Sequence, residues 1–223
     1  MLTAALGIIA GLLQALGYFF YIYLTLKRGL RPNATTWFMF AYGTLLLTVL
    51  EFDRDAGWAL LILPITCTVL GVLVAGICWY LGTLKWPDDW GDRTAFVMDV
   101  FLTFCYLSSW VLQERGALTQ TQTRFAVAAF LVASNLTALT SFGPLLREAW
   151  REPEHERYEP WLVWSLAYTT LGIGTYLTVG LWSELMLYPL LNAPLHGAVA
   201  WLARPCRRRL SKEDQVLKAA PIS

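Results

Sequence analysis

The chain has 223 residues, of which 57% are hydrophobic and only 15% are charged, and its formal net charge at pH 7 is +1. A soluble domain carries charge on about a quarter of its residues, so this composition excludes an ordinary soluble domain and favours a protein that lies in lipid. The near-neutral charge gives no support to a nucleic-acid partner. Long apolar runs are typical of membrane-spanning helices rather than of short alternating barrel strands, so we predict an all-α fold.

Seven apolar runs follow one another along the chain, and each is long enough to cross a bilayer core of about 30 Å. The predicted spans are residues 3–26, 36–52, 57–81, 95–112, 125–146, 160–181 and 183–203. The first span lacks the basic start and the small-residue cleavage site of a signal peptide. Lys27 and Arg28 follow it directly, so we expect it to be retained. The residues from Arg204 onward are predicted to form a polar tail.

Lysine and arginine are distributed unevenly between the connections of these spans. Of the 17 such residues, 14 fall in segments on the same side as the C-terminus, and only Arg54, Arg115 and Arg124 fall on the other side. Because cytoplasmic loops are enriched in basic residues, the pattern predicts an N-terminus outside and a C-terminus in the cytoplasm. Losing one span would destroy this alternation, so the charges also favour seven. We expect the membrane to be a bacterial inner (plasma) membrane.

Two stretches of the chain share one pattern, in which a helix ends, a basic turn with proline follows, and an aromatic residue begins the next apolar run. The first stretch contains Pro32 and leads to Trp37, and the second runs from Pro144 to Trp161. The two stretches occupy equivalent places after spans one and five. They indicate an internal repeat.

Further matches align spans one to three with spans five to seven. The segment Ala-Tyr-x-Thr-Leu occurs around Tyr42 and again around Tyr168, and Pro64 aligns with Pro189. A three-helix unit needs one extra helix before its copy if both copies are to have the same orientation, and span four supplies it. We therefore predict a 3+1+3 arrangement of two parallel three-helix repeats joined by a linker helix. The predicted units are a first repeat over 1–82, an inner loop and linker helix over 83–123, a second repeat over 124–204 and a cytoplasmic polar tail over 205–223.

In this layout the chain resembles the PQ-loop superfamily, which includes the SWEET sugar facilitators. That family repeats a helix-ending Pro-Gln, a basic turn and a Ser- or Trp-marked second helix around a linker helix. Pro144 stands where the family proline falls, with Leu145 in place of glutamine. In the first copy, Tyr-Ile at residues 21 and 22 stands in place of Pro-Gln. The resemblance implies a seven-helix transporter with a substrate-binding asparagine on the seventh helix.

Uncharged polar side chains near the centres of the spans are the candidates for a solute site, because such groups are costly in lipid and tend to face a cavity. The predicted substrate-binding residues are Asn192, Asn135, Tyr42, Tyr168, Cys67 and Gln14. Asn192 matches the place of the family asparagine, and Cys67 replaces its partner on the third helix. For both asparagines a solvated cavity and a hydrogen-bonded contact between helices stay open as alternatives. A helix contact is the favoured interpretation of Gln14.

Prolines and ionisable residues within the spans are the other candidates for a functional role. The predicted hinges are Pro64, Pro144, Pro189 and Pro194, because proline removes a backbone hydrogen bond from a helix. Asp99, on the linker helix, is expected to pair with Arg93 or to reach the membrane surface. A titrating role of His196 is left open.

The sequence gives no indication of catalysis. It contains no Ser–His–Asp arrangement, no metal-ligand spacing of its four cysteines and no phosphate-binding loop, and the seventh span has no lysine that could bind retinal. We therefore expect neither an enzyme nor a cofactor nor a metal site.

Two functions remain. The first is a facilitator or transporter that moves a small neutral or zwitterionic solute, sugar-like or amino-acid-like, by alternating access. The second is a non-transporting, PQ-loop-like membrane receptor or assembly factor, for which the Trp-rich loop from Trp86 to Trp90 would bind a partner. The expected partners are the lipid bilayer and the solute, and a homo-oligomer is left open.

Overall fold

The computed structural model describes residues 1–28, 30, 32, 34–82 and 90–205. Within them the chain forms eight α-helices and two short 3₁₀ turns and contains no strand, which confirms the all-α fold. The helices are α1 (Leu2–Arg28), α2 (Ala34–Asp53), α3 (Trp58–Tyr80), α4 (Trp90–Glu114), α5 (Gln120–Ser141), α6 (Gly143–Arg151), α7 (Tyr158–Val179) and α8 (Leu187–Leu202). The 3₁₀ turns are Pro153–His155 and Glu184–Met186. Much of the first basic turn, the loop around Trp86 and the tail from Cys206 lie outside the described residues.

Seven helical segments in the described part of the chain are long and apolar enough to cross a membrane, which indicates a multi-pass membrane protein. These segments are Leu2–Arg28, Ala34–Asp53, Trp58–Tyr80, Phe96–Glu114, Gln120–Arg151, Tyr158–Val179 and Glu184–Leu202. Large apolar side chains such as Leu12, Val69 and Phe104 are exposed on the outside of the bundle. Such a surface suits contact with lipid tails, which are as apolar as leucine.

The fifth predicted span differs most from the structure. α5 ends at Ser141 and α6 begins at Gly143, with Pro144 in the first turn of α6. Proline has no amide hydrogen to continue the bonding pattern of α5, and its ring crowds the preceding turn. The helix is therefore interrupted near residue 142 and then continues to Arg151, beyond the predicted end at residue 146. Pro144, a predicted hinge, lies at this interruption.

The other three predicted hinge prolines lie within α3 and α8. Pro64 and Pro194 are inside their helices, whereas Pro189 is in the first turn of α8, directly after a 3₁₀ turn. Proline is tolerated best in a first turn, where its missing amide would have no partner within the helix. Pro64 and Pro194 are therefore the prolines of α3 and α8 that interrupt a regular bonding pattern.

Contacts between neighbouring helices close into a ring of six. α1 packs against α3, α3 against α2, α2 against α5, α5 against α8, α8 against α7, and α7 returns to α1. α4 lies outside this ring and packs against α5 and α2. The ring therefore encloses a centre to which every one of its helices has access.

Glycines on α1 allow α1 to approach its two neighbours closely. A Cβ atom at Gly7 would overlap the carbonyl group of Ala59 on α3, and one at Gly17 would overlap the indole of Trp164 on α7. That indole donates a hydrogen bond from Nε1 to the backbone oxygen of Gln14, at 3.1 Å. Small residues at such positions bring helix backbones together, and this proximity is a main source of packing energy in lipid.

Candidate functional site

One cavity at the centre of the bundle is lined by all seven membrane-spanning segments. Its volume is about 30 Å³, which is room for one water-sized group. The lining residues are Tyr18 of α1; Trp37, Met39, Phe40, Gly43, Thr44 and Leu47 of α2; Cys67 of α3; Asp99 of α4; Ser134, Ala138 and Ser141 of α5; Phe142; Trp164 and Tyr168 of α7; and Tyr188, Asn192 and His196 of α8.

Aromatic rings form much of the wall of this cavity. The ring of Tyr18 packs against those of Trp37 and Trp164, with centroids 5.6 and 5.0 Å away. On α7 and α8 the ring of Tyr168 lies 4.7 Å from that of His196. Rings at these distances and angles attract each other beyond their apolar burial. This aromatic part of the wall is therefore largely apolar, with polar atoms near the tips of its side chains.

The thiol of Cys67 lies among three phenol hydroxyls. Its sulphur is 3.1 Å from the hydroxyl oxygen of Tyr18 and accepts a longer hydrogen bond, 3.7 Å, from that of Tyr168. The Tyr168 hydroxyl is also 3.0 Å from the hydroxyl of Tyr188. These bonds join α1, α3, α7 and α8 at the centre of the bundle, and they place two predicted site residues, Cys67 and Tyr168, side by side.

Asn192 and His196 lie one turn apart on the face of α8 that lines the cavity. The Asn192 side chain donates from Nδ2 to the backbone oxygen of Tyr188 at 2.9 Å, and His196 Nδ1 lies 2.8 Å from the backbone oxygen of Asn192. A carbonyl oxygen only accepts, so we assign the hydrogen of the neutral ring to Nδ1. Both side chains are buried, and both are oriented by their own helix.

Asp99 contributes the only carboxylate to the described lining of the cavity. Its side chain is 2% exposed, and one of its oxygens accepts a hydrogen bond from the Thr137 hydroxyl of α5. The prediction that Asp99 pairs with Arg93 or reaches the membrane surface is therefore wrong. α4 packs against α5 and α2, and this packing turns Asp99 towards the centre of the protein.

Three of the six predicted site residues lie elsewhere. The Tyr42 hydroxyl is 2.7 Å from that of Thr103 on α4, in a separate apolar groove. Asn135 and Gln14 are buried at 0% and 1% exposure, but they are outside the lining of the cavity, and the side-chain oxygen of each has no hydrogen-bond partner in the described structure. The structure thus brings together Asn192, Tyr168 and Cys67 and separates Tyr42 from them.

A buried carboxyl group, Glu156, lies at the end of the bundle where α1 ends and α7 begins. It accepts hydrogen bonds from the Tyr21 hydroxyl at 3.0 Å and from Trp161 Nε1 at 2.9 Å. The Tyr21 oxygen in turn accepts a bond from Trp37 Nε1 at 3.2 Å, and Trp37 also lines the cavity. Burial raises the pKa of Glu156 to about 8, although the bonds from Trp161 and Tyr21 lower it in part.

Ion pairs connect the segments at the opposite end of the bundle. Arg54, which follows α2, donates from Nε to the Glu184 carboxylate at 2.6 Å. Arg124 of α5 pairs with Asp55 at 2.8 Å. These contacts tie the α2–α3 connection to the turn before α8 and to the start of α5.

A third buried acid, Glu51, lies near the end of α2, three residues before Arg54. It is 4% exposed and lines a small cavity of about 10 Å³ together with Thr175 of α7. The sequence gives no sign of this burial, because Glu51 is only one residue from the predicted end of span two. Its burial follows from the packing of the ring of helices rather than from its place in the sequence.

Sequence reasoning also missed most of the aromatic wall. On α7, Trp164 and Tyr168 line the cavity, and they follow the buried Trp161 at intervals of three and four residues, which places all three on one face of a helix. Large rings with one polar atom, repeated on one face, are the signal that could have indicated a lined cavity.

No protein-family model, curated protein or solved structure matches this chain. In the part of the chain that is described, no group of three His, Cys, Asp or Glu side chains is placed to hold a metal ion. The cavity offers aromatic faces, hydroxyl and amide groups and one carboxylate. These groups suit the binding of a small polar solute.

Proposed function

We propose that the protein is a membrane facilitator or transporter of a small solute that works by alternating access. The observation that carries the proposal is the central cavity, whose lining draws side chains from all seven membrane-spanning segments. A site near the middle of the bundle can be reached from either side of the membrane when the surrounding helices move. Polar groups that only hold helices together would not need to surround a shared space.

The contacts at the two ends of the bundle support a closed state of such a cycle. On one side of the cavity the Arg54–Glu184 pair joins the α2–α3 connection to the segment before α8. On the other side Tyr21 of α1 is bonded to Glu156, which precedes α7. The cavity, about 30 Å³, is too small for a whole sugar or amino acid. Binding and release therefore require one set of contacts to open at a time.

We also propose the 3+1+3 arrangement, with α1–α3 as one half, α5–α8 as the other and α4 as the linker. The pattern of contacts between the helices supports this arrangement. Exchanging α1 with α5, α2 with α7 and α3 with α8 converts each contact of the ring into another contact of the ring. A pseudo-twofold axis along the membrane normal would have this effect.

The buried faces of α2 and α7 support the same symmetry, at a shift of 124 residues rather than the 126 that pairs Tyr42 with Tyr168. The buried pairs at this shift are Trp37 with Trp161, Thr44 with Tyr168, Leu47 with Leu171, and Glu51 with Thr175. Moving two residues along a helix turns a side chain by about 200°, which explains why Tyr42 faces α4 and not the cavity. The rings of Trp37 and Trp161 lie 6.2 Å apart at one end of the bundle.

The orientation proposed for the protein places the Arg54 end outside and the Glu156 end in the cytoplasm of a bacterial cell. It rests on the distribution of lysine and arginine. A green fluorescent reporter, which folds only in the cytoplasm, should fluoresce when it is fused to the C-terminus. The same reporter inserted after Gly116, in the α4–α5 connection, should stay dark; the reverse pattern would contradict the orientation.

Uptake by liposomes that contain the purified protein tests the proposed function. The solutes are a panel of sugars, amino acids, polyols and small amines, and empty liposomes give the background. Gly43 lines the cavity, so Gly43→Leu should fill it and stop uptake, whereas Gly76→Leu, on the exposed face of α3, should not. If no solute enters faster than the background, the transport proposal is lost and the receptor or assembly role becomes the better hypothesis.

A further inference from the structure

The carboxylate of Asp99 faces the cavity and has one protein partner in the described structure. One oxygen, Oδ1, accepts the Thr137 hydrogen bond. The other, Oδ2, points towards Gly43 of α2, where an added Cβ atom would be 3.5 Å away. The absence of a side chain at Gly43 leaves space in front of this oxygen.

The walls around this carboxylate supply no compensating charge. As far as the chain is described, the lining contains no lysine or arginine, and its one imidazole, His196, is bonded to a carbonyl of its own helix. A buried carboxylate without a positive partner is strongly disfavoured. Acids in membrane-spanning helices usually pair with another group or with a ligand. An ionised Asp99 therefore needs a positive partner that enters the cavity from outside.

Two other features of the lining favour a cation, and one of them suits a cation with N–H groups. The rings of Tyr18, Trp37 and Trp164 border the same space, and aromatic faces attract cations, most strongly when water is excluded. The hydroxyl of Ser134 lines the cavity, is buried, and has no hydrogen-bond partner among the described residues. A hydroxyl with free lone pairs can accept a bond from an N–H group.

We infer that the cavity binds the ammonium group of its solute, with Asp99 as counter-ion and the aromatic wall around it. This inference rests on the proposed function and narrows the solute to one that carries a protonated amine or a quaternary ammonium. The closed cavity has room for a primary ammonium group alone, and a quaternary ammonium enters only when one end of the bundle opens. The rest of the solute is accommodated when one end of the bundle opens.

Thermal unfolding of the purified protein in detergent tests the inference with matched solutes. Choline and 3,3-dimethylbutan-1-ol have nearly the same shape, but a carbon atom replaces the charged nitrogen in the second; methylammonium serves as a smaller cation. At least one of the two cations should raise the unfolding temperature saturably, at concentrations roughly tenfold below any effect of the neutral alcohol. This comparison needs no variant. An effect of the neutral alcohol equal to that of the more effective cation, or no effect of either cation, would overturn the inference.

A pair of variants on α4 then assigns the effect to Asp99. Asp99→Asn keeps the size of the side chain and an acceptor for Thr137, but it removes the charge. The cation should then raise the unfolding temperature no more effectively than the neutral alcohol does. Glu114 is an exposed acid at the end of the same helix, and Glu114→Gln should leave the difference between the cation and the alcohol unchanged. Retained discrimination in Asp99→Asn would contradict the assignment. Binding is measured in detergent, independently of uptake. If the protein binds cations but takes up no solute, the transport proposal is disproved and this inference is not.

Discussion

At the scale of single residues, Asn192 and Tyr42 show why a polar side chain near a helix centre does not by itself define a site. Both lie in the middle of a membrane-spanning helix, but Asn192 lines the cavity and Tyr42 contacts Thr103 of α4. What separates them is the direction of the side chain. Only the packing of neighbouring helices decides this direction.

Asn192→Ala should reduce the initial rate of uptake by roughly tenfold, because one hydrogen-bonding group of the cavity is lost. Tyr42→Phe, which removes a hydroxyl outside the cavity, should keep near-normal uptake. Both rates are measured in liposomes with equal amounts of protein. If Asn192→Ala lowers the unfolding temperature but leaves uptake unchanged, Asn192 stabilises the contact between helices and does not bind solute.

Glu156 should make the stability of the protein depend on pH. Its pKa is about 8 in the folded protein, against an ordinary value of 4.5, because the carboxyl group is buried. The folded state therefore holds a proton that the unfolded state releases, and stability is highest at low pH and falls as the pH rises towards 8. Between pH 6 and pH 8 the loss is about 2 kcal/mol.

Glu156→Gln should flatten this part of the pH profile of the unfolding temperature, since glutamine does not titrate. The matched control is Glu154→Gln, an exposed acid in the same short turn, which should keep the wild-type slope. Scanning fluorimetry from pH 5.5 to pH 9 gives the comparison. An identical slope in Glu156→Gln and the wild type would show that this carboxyl group is not the source of the pH dependence.

At the scale of helices, the sequence predicts the existence of the elements well but not their faces. Six spans agree with the structure to within a few residues at most ends, because long apolar runs are a strong signal. The sequence does not show which side of a helix is buried, because the lipid-facing side is as apolar as the buried side. On α7, Leu162 and Ile173 are about half exposed while Leu171 is buried, and no difference in polarity distinguishes them.

The interruption at Pro144 and the burial of Asp99 escaped prediction for two different physical reasons. A proline is compatible with a kinked but continuous helix as well as with a break, so its presence alone does not select an end. The direction of Asp99 depends on contacts of α4 with α5 and α2, which join residues far apart in the chain. Local patterns carry no information on such contacts.

The close packing of α1 against α3 depends on the small size of Gly7. Gly7→Ala should lower the stability of the folded protein by roughly 1–3 kcal/mol, because the added methyl group would overlap the backbone of α3 and force the helices apart. Gly76→Ala, on an exposed face of α3 with no atom near the added group, should be neutral or slightly stabilising, since alanine favours helix. Unfolding temperatures in detergent test both variants, and equal effects would show that α1 does not pack through its glycines.

At the scale of the whole molecule, the two ends of the bundle are held by different chemistry. The Glu156 end is closed by buried aromatic rings and their hydrogen bonds, whereas the Arg54 end is closed by ion pairs that remain partly in contact with solvent. Partly exposed ion pairs contribute little stability, about 0–1 kcal/mol each. The Arg54 end should therefore be the easier end to open, and the more sensitive to salt.

Opening of this end can be followed through Cys67, which is 4% exposed in the closed cavity. In a protein whose other three cysteines are replaced by alanine, a maleimide should label Cys67 only when an end of the bundle opens. Arg54→Glu removes the pair with Glu184 and adds repulsion, so the open population and the labelling rate should rise roughly fivefold, as expected for about 1 kcal/mol. The exchanged pair, Arg54→Glu with Glu184→Arg, should restore slow labelling.

The control for this experiment is an ion pair that does not connect the two halves. Arg157 and Glu159 pair at 2.9 Å at the start of α7, so Glu159→Gln, which adds no charge beside the buried Glu156, breaks a contact within one half and should leave labelling unchanged. High salt should narrow the difference between the wild type and Arg54→Glu, because it screens the wild-type pair. If Arg54→Glu labels no faster than the wild type, the ion pair does not hold this end closed. If the exchanged pair labels as fast as Arg54→Glu, the size of the new side chains, rather than their charge, has opened the bundle.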